Sequence, residues 1–394
     1  MTAASSKTFC ILPWIHFYAN PDGSVLPCCI ADHNKPLGNV RTHTIEEIWN
    51  NDRYKAMRLK MLNSERCDEC SACYTPESYG VKSYRQSANV TYGEFNNLAY
   101  TTREDGSVPT IDIKYLDIRW SNICNLKCRS CSSTYSSSWA TEDNKNGHKK
   151  PVFIFSGGDN NDKLYEQIKP HLAGMKEIYF AGGEPLLTDK HYELLEELIA
   201  IGNTSLTLRY NTNLTNLAYK DKSVIDYWKH FKEVKVYASL DSWGERAEYI
   251  REGTDWDLIE QNVKIIQREA AHVKLMVSSV ISAFNIGTLI PFIDKITDMM
   301  GNSVELNFYT ILNPHYYSAA IIPNGLKNSI IKSLSHVRYT EKIDRELVKV
   351  ISYLKNAVYD DALRLEFLDV TDHYDKIRNR NFVETFPEMA ELYS

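Results

Sequence analysis

Three cysteines lie within eight residues near the middle of the chain, and their spacing could hold a metal centre. Cys124, Cys128 and Cys131 follow the pattern C-x3-C-x2-C. A structural zinc site or an ordinary iron–sulfur cluster takes four protein ligands, and the next cysteine in either direction is far away. Three thiolates can bind three irons of a 4Fe-4S cluster and leave the fourth iron open to a small molecule. The alternatives are a zinc knuckle with a remote fourth ligand and three structural thiols.

A second group of cysteines lies in the first hundred residues and could form a further metal site. It contains six of the nine cysteines of the chain: Cys10, Cys28, Cys29, Cys67, Cys70 and Cys73. Cysteines clustered at short spacings indicate metal ligands rather than disulfides. Either zinc or a 4Fe-4S cluster accepts four thiolates. We expect Cys29 to be a buried neighbour of the site, because adjacent strand residues point in opposite directions.

A predicted β-hairpin and a helix position these N-terminal cysteines. The turn Asn-Pro-Asp-Gly at 20–23 separates two apolar segments, which places Cys10 near the start of the hairpin and Cys28 at its end. A capping box at Thr44 predicts the start of a helix that runs through Leu59. The polar residues 101–110 then predict a linker into the next part of the chain.

From about 115 to 310 the pattern alternates between strands and helices. The predicted strands are 115–120, 177–181, 205–211, 233–240, 273–281 and 303–309. The lengths of the connections imply parallel pairing and an α/β fold with six β/α repeats, a partial TIM-like barrel. Cys124 follows the first strand, and in a β/α barrel such loops lie on the active-site face.

The last part of the chain is predicted to be mainly helical. Helices are expected at about 325–335 and 341–357, and a short strand at 363–368. The apolar residues of the tail are expected to cover the core rather than to bind a partner: Ile377, Phe382, Phe386 and Met389.

Composition limits the classes of function. The chain has 394 residues, 43% of them hydrophobic and 24% charged, as in an ordinary globular protein. A net charge of -6 argues against general nucleic-acid binding. No apolar run is long enough to span a membrane and no signal-peptide core begins the chain, so a cytoplasmic location is expected.

The cysteine triplet after a strand and the sequence Gly182-Gly183-Glu184-Pro185 after the next predicted strand resemble the radical SAM superfamily. The resemblance implies a 4Fe-4S cluster on Cys124, Cys128 and Cys131, with S-adenosylmethionine (SAM) on the open iron. It also implies that Gly182, Gly183 and Glu184 meet the methionyl amino group. Glycines allow the backbone to approach, and carbonyls and a carboxylate accept hydrogen bonds from an ammonium group.

Three further residues are implied in SAM binding by the same resemblance. Asn213 lies in Thr-Asn-Leu, where the family often has Thr-Asn-Gly, and could meet SAM or the substrate; a turn-forming asparagine is the alternative. Ser239 and Arg251 match a subgroup in which a serine and an arginine twelve residues later bind the ribose and carboxylate of SAM. A guanidinium suits a carboxylate. The alternative is surface charge and a strand-end turn.

Residues 1–100 resemble the twitch module, a shortened SPASM domain that holds an auxiliary 4Fe-4S cluster. The resemblance favours Cys10, Cys28, Cys70 and Cys73 as ligands, with Cys67 as an alternative to either of the last two. The module usually follows the barrel, whereas here it precedes it. The resemblance therefore implies three segments: 1–100 for the auxiliary cluster, 111–310 for the radical SAM core, and 311–394 as a helical extension.

The resemblance implies a radical reaction. A reduced cluster would split SAM into methionine and a 5′-deoxyadenosyl radical, which takes hydrogen from a peptide or small molecule, and an auxiliary cluster would assist the oxidation or modification. A flavodoxin or ferredoxin would supply electrons. Two alternatives stay open: an enzyme that modifies a sugar or nucleotide, and a non-catalytic iron–sulfur sensor or scaffold.

Overall fold

The computed structural model describes residues 6–78, 80, 82–147, 159–311 and 313–394, with the side chains of 159–162 left out. The described residues form two compact units. Unit 1 comprises those in Met1–Ile123, Pro151–Tyr210 and Lys229–Val234, and unit 2 those in Cys124–Lys150, Asn211–Trp228 and Lys235–Ser394. The segment boundaries at 100, 110 and 310 stay a prediction.

The described residues contain strands β1 to β13. Their bounds are His16–Ala19, Ser24–Leu26, Gly38–Asn39, Tyr115–Ile118, Lys127–Cys128, Glu177–Phe180, Thr207–Thr212, Ala218–Tyr219, Lys222–Ser223, Glu233–Ser239, Arg251–Glu252, Lys274–Ile281 and Leu306–Thr310.

The same residues contain α-helices α1 to α16. Their bounds are Leu12–Ile15, Ile45–Trp49, Asp52–Leu62, Ser71–Ser78, Tyr84–Thr91, Ser137–Lys145, Asp159–Ile168, Asp189–Ala200, Val224–Trp228, Gly244–Ile250, Trp256–Glu269, Leu289–Met300, Asn324–His336, Glu341–Asn356, Asp361–Arg378 and Phe382–Thr385. No described helix is long and apolar enough to cross a membrane.

The sheet of unit 1 joins the N-terminal hairpin to the first strands of the α/β core. Its strand order is β7-β6-β4-β1-β2-β3, with β1, β4, β6 and β7 parallel and β1 to β3 antiparallel. The predicted hairpin turn is confirmed, and Gly23 takes a φ of +84° there, which glycine adopts without strain. One face of the sheet packs on α8, where His191 contacts Phe180 and Tyr210.

Unit 2 contains the parallel strands β10, β12 and β13, followed by the C-terminal helices. Its core includes a cluster of aromatic rings in mutual contact: Tyr249, Phe284, Tyr317, Phe367, Phe382 and Phe386. The predicted α/β fold is confirmed, since β4, β6 and β7 are parallel in unit 1 and β10, β12 and β13 are parallel in unit 2, these strands alternate with helices, and a helical region follows.

Three local predictions are wrong. The predicted strand at 363–368 lies inside α15, because Asp360 caps that helix by accepting the Ala362 and Leu363 N–H groups. The helix that begins after Thr44 ends at Trp49, and Asn51 caps a new one. Ile377 is 37% exposed, whereas its three predicted core partners in the tail are buried.

Candidate functional site

The cysteine loop of unit 2 is held by a short strand pair and by helix α6. Cys128 lies in β5, which pairs with β11 so that Cys128 faces Arg251. Trp139 Nε1 donates to the Cys128 carbonyl oxygen at 2.7 Å, and Ser138 Oγ donates to the Cys124 carbonyl oxygen at 2.7 Å. The polar segment after the cysteines therefore supports the loop.

Arg251 lies between a cysteine and a carboxylate. Its Nη1 is 3.6 Å from Cys128 Sγ, and its Nη2 is 2.9 Å from Asp241 Oδ2. Asp241 is buried, accepts the Val280 N–H at 2.7 Å, and receives the Asn285 side-chain amide on its carbonyl oxygen at 2.9 Å. Sequence reasoning gave Asp241 no role, although it stands two residues after Ser239.

The thiols of the loop suit a site where a metal replaces their protons. Burial raises the pKa of Cys128 and raises the pKa of Cys131 to about 12, while Arg251 favours the Cys128 thiolate. Thiolates are the form that binds iron. Three thiols in one supported loop, with a guanidinium beside one of them, fit a cluster held by three protein ligands.

Asn213 lies beside the first of these cysteines. Its Nδ2 is 4.0 Å from Cys124 Sγ and donates to Asn125 Oδ1 at 2.9 Å, and its Oδ1 accepts from Thr215 Oγ1 at 2.6 Å. The next residue, Leu214, has a φ of +59°, a left-handed conformation that favours glycine. The structure therefore explains why Thr-Asn-Gly is a natural sequence for this turn.

The Gly-Gly-Glu segment belongs to unit 1 and packs on the residues just before the cysteine loop. Gly183 N–H donates to the Ser121 carbonyl at 3.0 Å, and Glu184 N–H donates to the Ile123 carbonyl at 2.7 Å. A Cβ at Gly183 would lie 2.2 Å from the Ile123 oxygen, so only glycine fits. Gly182 has a φ of +121°, which also requires glycine.

The structure thus brings Asn213 and Arg251 to the cysteine loop and packs Gly182 to Glu184 on the residues between β4 and that loop. Ser239 ends β10, half-buried, in register with Ser278 of β12.

Several N-terminal cysteines of unit 1 line a small cavity. Four of the six thiols line it: Cys10, Cys28, Cys70 and Cys73. Burial raises the pKa of Cys10 to about 12 and raises the pKa values of Cys28 and Cys73. A group that takes four thiolates fits this donor set.

The other two N-terminal cysteines are placed differently. Cys67 is buried with its Sγ 3.8 Å from the Met57 carbonyl oxygen, and its hydrogen bond with Cys70 lowers the pKa of Cys67 and raises that of Cys70. Cys29 interacts with Asp117 and Arg119 instead of lining the cavity.

Sequence reasoning missed a cation at the four-cysteine cavity. Arg85 lines the cavity, its backbone N–H donates to Cys73 Sγ at 3.4 Å, and its guanidinium donates to the Phe9 carbonyl and to Glu77 at 2.6 Å each. The sequence held one signal for this residue. The capping box of Ser83 and Gln86 marks the start of α5 and so places Arg85 in the first turn of that helix.

Two family models match parts of the chain. Residues 10–74 match SPASM, described as an iron-sulfur cluster-binding domain, and residues 118–286 match the Radical SAM superfamily. No curated protein matches.

Several solved structures are similar to the chain. Native anSMEcpe with bound AdoMet has 20% identity and a TM-score of 0.40, with 56% of this chain and 58% of that chain covered. SuiB of Streptococcus suis bound to S-adenosylmethionine has 13% identity and a TM-score of 0.40, with 88% and 71% covered. The chain therefore spans less than two thirds of the anSMEcpe chain.

Proposed function

We propose that this chain, which belongs to the radical SAM superfamily and carries a SPASM-type iron–sulfur domain before its core, is an enzyme that oxidises or modifies a peptide or small molecule. When bound, a 4Fe-4S cluster with SAM supplies reductive SAM cleavage and a 5′-deoxyadenosyl radical that takes hydrogen from the substrate. The observation that carries the proposal is the contact of Arg251 with Cys128 in the three-cysteine loop.

In this proposal the cysteine loop and its neighbours hold cluster and SAM. Cys124, Cys128 and Cys131 are the ligands. The Arg251 guanidinium, fixed by its buried carboxylate partner, binds the SAM carboxylate bidentately. Asn213 offers its side-chain amide beside Cys124.

The remaining SAM contacts come from backbone and short side chains. Gly182 and Gly183 present carbonyl oxygens, and Glu184 presents a carboxylate, to the methionyl ammonium group. The Ser239 hydroxyl donates a hydrogen bond to the ribose of SAM or accepts one from it. Burial of Glu184 would strengthen its interaction with a cation, since water competes less there.

The four thiols that line the cavity of unit 1 hold the auxiliary cluster: Cys10, Cys28, Cys70 and Cys73. The backbone N–H of Arg85 donates to Cys73 Sγ, and hydrogen bonds to the sulfurs of a cluster help to set its reduction potential. The proposed role is to accept an electron during substrate oxidation.

The proposal also includes the three sequence segments 1–100, 111–310 and 311–394, a flavodoxin or ferredoxin as electron donor, and a cytoplasmic location. None of the nine cysteines, all of which the structure describes, forms a disulfide, which supports a reducing compartment.

The test is anaerobic reconstitution with iron and sulfide, reduction by dithionite, and detection of 5′-deoxyadenosine by mass spectrometry after SAM is added. We expect about eight irons per chain, as two four-iron clusters give, and 5′-deoxyadenosine that is lost in Cys128→Ala and kept in Cys29→Ala. Four irons with bound zinc would contradict the auxiliary cluster. A chain with both clusters that leaves SAM intact would contradict the enzyme function.

A further inference from the structure

Helix α15 of unit 2 contacts the cysteine loop, although the two are far apart in the sequence. Arg378 Nη1 donates to the Lys127 carbonyl oxygen at 3.2 Å, and the two residues are 251 positions apart. The Arg378 side chain is 1% exposed. Because a guanidinium group so far removed from water needs partners within the protein, this hydrogen bond belongs to the packed interior of the unit.

The Arg378 guanidinium is held by a carboxylate and by two aromatic rings. Its Nη2 donates to Glu142 Oε2 at 2.7 Å, and the same carboxylate accepts from Lys127 Nζ at 2.6 Å. The guanidinium carbon lies 4.6 Å from the centre of the Trp139 ring and 4.9 Å from that of Tyr374. A planar group with several donors can make these contacts together, which an ammonium group cannot.

The ring beside Arg378 extends these contacts to a cysteine. Trp139 Nε1 donates to the Cys128 carbonyl oxygen at 2.7 Å. Since Lys127 and Cys128 are consecutive residues of β5, Arg378 acts on two neighbouring carbonyl groups, on the first directly and on the second through the indole. Neither contact involves a cysteine sulfur, so both are compatible with metal binding by the loop.

The same helix makes a second contact with the loop, three residues before Arg378. The carboxylate of Asp375 pairs with the buried guanidinium of Arg129, and the Arg129 N–H donates to the Ile250 carbonyl oxygen at 2.8 Å. Arg129 directly follows Cys128. Helix α15 therefore contacts the residues on both sides of this cysteine.

Contacts of this kind matter because a short loop with three cysteines has no regular structure of its own beyond the two residues of β5. Ordering such a loop costs conformational entropy. If the metal alone ordered the loop, that cost would reduce the affinity for the metal. Contacts from a packed helix fix the backbone in advance and remove part of the cost.

We propose that Arg378 is a positioning residue for the three-cysteine loop. It fixes the loop backbone through the Lys127 carbonyl and the Trp139 indole, and thereby keeps the thiols in place for the cluster. The inference rests on the proposed function, because it takes the three cysteines of this loop as the cluster ligands. It assigns the role to the C-terminal helical region, outside the residues 118–286 that match the superfamily.

Local hydrogen exchange tests the positioning role without turnover, since amide exchange reports local opening of the backbone. It is measured by mass spectrometry on the full chain, reconstituted anaerobically with iron and sulfide. The reporters are the amides of Arg129 and Cys131, which donate to the carbonyls of Ile250 and Cys128. We expect Arg378→Ala to raise their exchange rates at least fivefold and to leave strand β12 unchanged. Unchanged rates in the loop, or an equal rise in β12, would overturn the proposal.

Arg364 offers a matched control on the same helix. It also pairs with a carboxylate, that of Asp361, and its Nη1 donates to the Leu392 carbonyl oxygen at 2.8 Å. Because these partners lie away from the cysteine loop in the sequence and in their contacts, Arg364→Ala should leave exchange in the loop unchanged. If it raises that exchange as much as Arg378→Ala does, the effect is a general loss of helix packing, and the proposal fails.

A conservative variant keeps the test decisive if Arg378→Ala does not fold. Arg378→Lys retains the positive charge beside Glu142 but loses the planar group that reaches the Lys127 carbonyl as well. We expect exchange in the loop to rise at least twofold in this variant. A rate equal to that of the unaltered chain would overturn the proposal.

The spectrum of the cluster provides a readout that a loss of global stability would not change. The variants are made in Cys70→Ser, which is expected to remove the auxiliary cluster, so that the signal comes from one cluster. After reduction by dithionite, electron paramagnetic resonance should show one signal in this chain and in its Arg364→Ala derivative. Arg378→Ala should give several overlapping signals and lose iron to a chelator at least fivefold faster. One unchanged signal with an unchanged rate of iron loss would overturn the proposal.

The two proposals fail separately in these experiments. If the unaltered chain binds no iron at the three cysteines, the proposed function fails, and exchange in the loop still decides the role of Arg378. If the chain splits SAM while Arg378→Ala keeps the exchange rates and the signal of the unaltered chain, Arg378 is not a positioning residue, and the radical function stands.

Discussion

Arg251 and Cys128 face each other across a two-stranded antiparallel pair, with the guanidinium Nη1 3.6 Å from the thiol Sγ. The two residues are 123 positions apart in the sequence. The same guanidinium pairs with the buried carboxylate of Asp241. One cation thus links the cysteine loop to the end of strand β10, where Ser239 and Asp241 lie.

Arg251→Lys is expected to weaken SAM binding about tenfold to a hundredfold. Lysine keeps the positive charge but loses the planar fork that binds a carboxylate and Asp241 together. Equilibrium dialysis of SAM against the reconstituted protein measures the effect, and iron content should stay near that of the unaltered chain. Arg246→Lys, whose guanidinium pairs with Glu388, is the matched control. Equal SAM affinity in all three proteins would rule out the assigned role.

Asp375→Asn should destabilise unit 2 by about 3 kcal/mol, because it leaves the buried Arg129 cation without its charge partner. Asp375 also accepts from Tyr249 at 2.6 Å and from the Phe382 N–H at 2.7 Å. Since Arg129 directly follows Cys128, iron retention should fall as well. Urea unfolding and an iron assay measure both effects. The exposed Asp369 on the same helix gives the control Asp369→Asn, and a loss of similar size there would refute the specific pairing.

Gly183→Ala is expected to lower the free energy of unfolding by roughly 1–3 kcal/mol and SAM affinity by more than tenfold. The added methyl would lie 2.2 Å from a backbone oxygen of Ile123, and backbone must shift to accept it. That shift displaces the residue next to Cys124. Gly93→Ala, whose Cβ has its nearest neighbour at 3.9 Å, is the control. Thermal unfolding and equilibrium dialysis of SAM measure the two effects. If the free energy of unfolding and the SAM affinity are both unchanged, the segment is not close-packed in solution.

Cys70→Ser should reduce the iron content from about eight to about four per chain, as loss of one four-iron cluster requires. Cys67→Ser and Cys29→Ser should stay near eight, because neither thiol lines the four-cysteine cavity. Iron and sulfide assays with visible absorbance spectra measure the result. The ligand assignment is wrong if Cys67→Ser loses iron and Cys70→Ser keeps it.

The stability of Asp117→Asn relative to the unaltered protein is expected to rise by ~3 kcal/mol between pH 4 and pH 8. Burial raises the pKa of Asp117 to about 6 in the folded protein, against about 3.9 in an unfolded chain. The folded state therefore binds more protons between these values, so stability is lost as the pH rises through this window. The neutral amide of asparagine does not titrate, so the variant does not lose stability in this window. Urea unfolding at both pH values provides the measurement, and a relative stability that does not rise with pH would contradict the raised pKa of Asp117.

The sequence by itself determined the features that depend on local spacing. The triplet Cys124, Cys128 and Cys131, the hairpin turn ending at Gly23, and the six core strands follow from short-range patterns of residue type. Such patterns are informative because backbone conformation, side-chain alternation and turn geometry act over a few residues.

The local sequence pattern gave a wrong prediction at 363–368, where an alternation typical of a strand overlaps a spacing typical of a helix. Leu363, Leu365 and Phe367 alternate as in a strand, yet Phe367, Thr371 and Asp375 are buried at helical spacing and Asp360 caps the helix. The apolar alternation covers only a few residues, while the helical stripe continues for three turns, and the longer stripe packs on the core.

Only the tertiary structure decided which distant residues meet. It placed Arg251 between Cys128 and Asp241, separated the four cavity-lining cysteines from Cys29 and Cys67, and aligned Asp117 with Arg209 across three strands. The reason is physical: strand register and loop packing are fixed by burial of the whole apolar surface, so contacts between residues far apart leave no trace in local spacing.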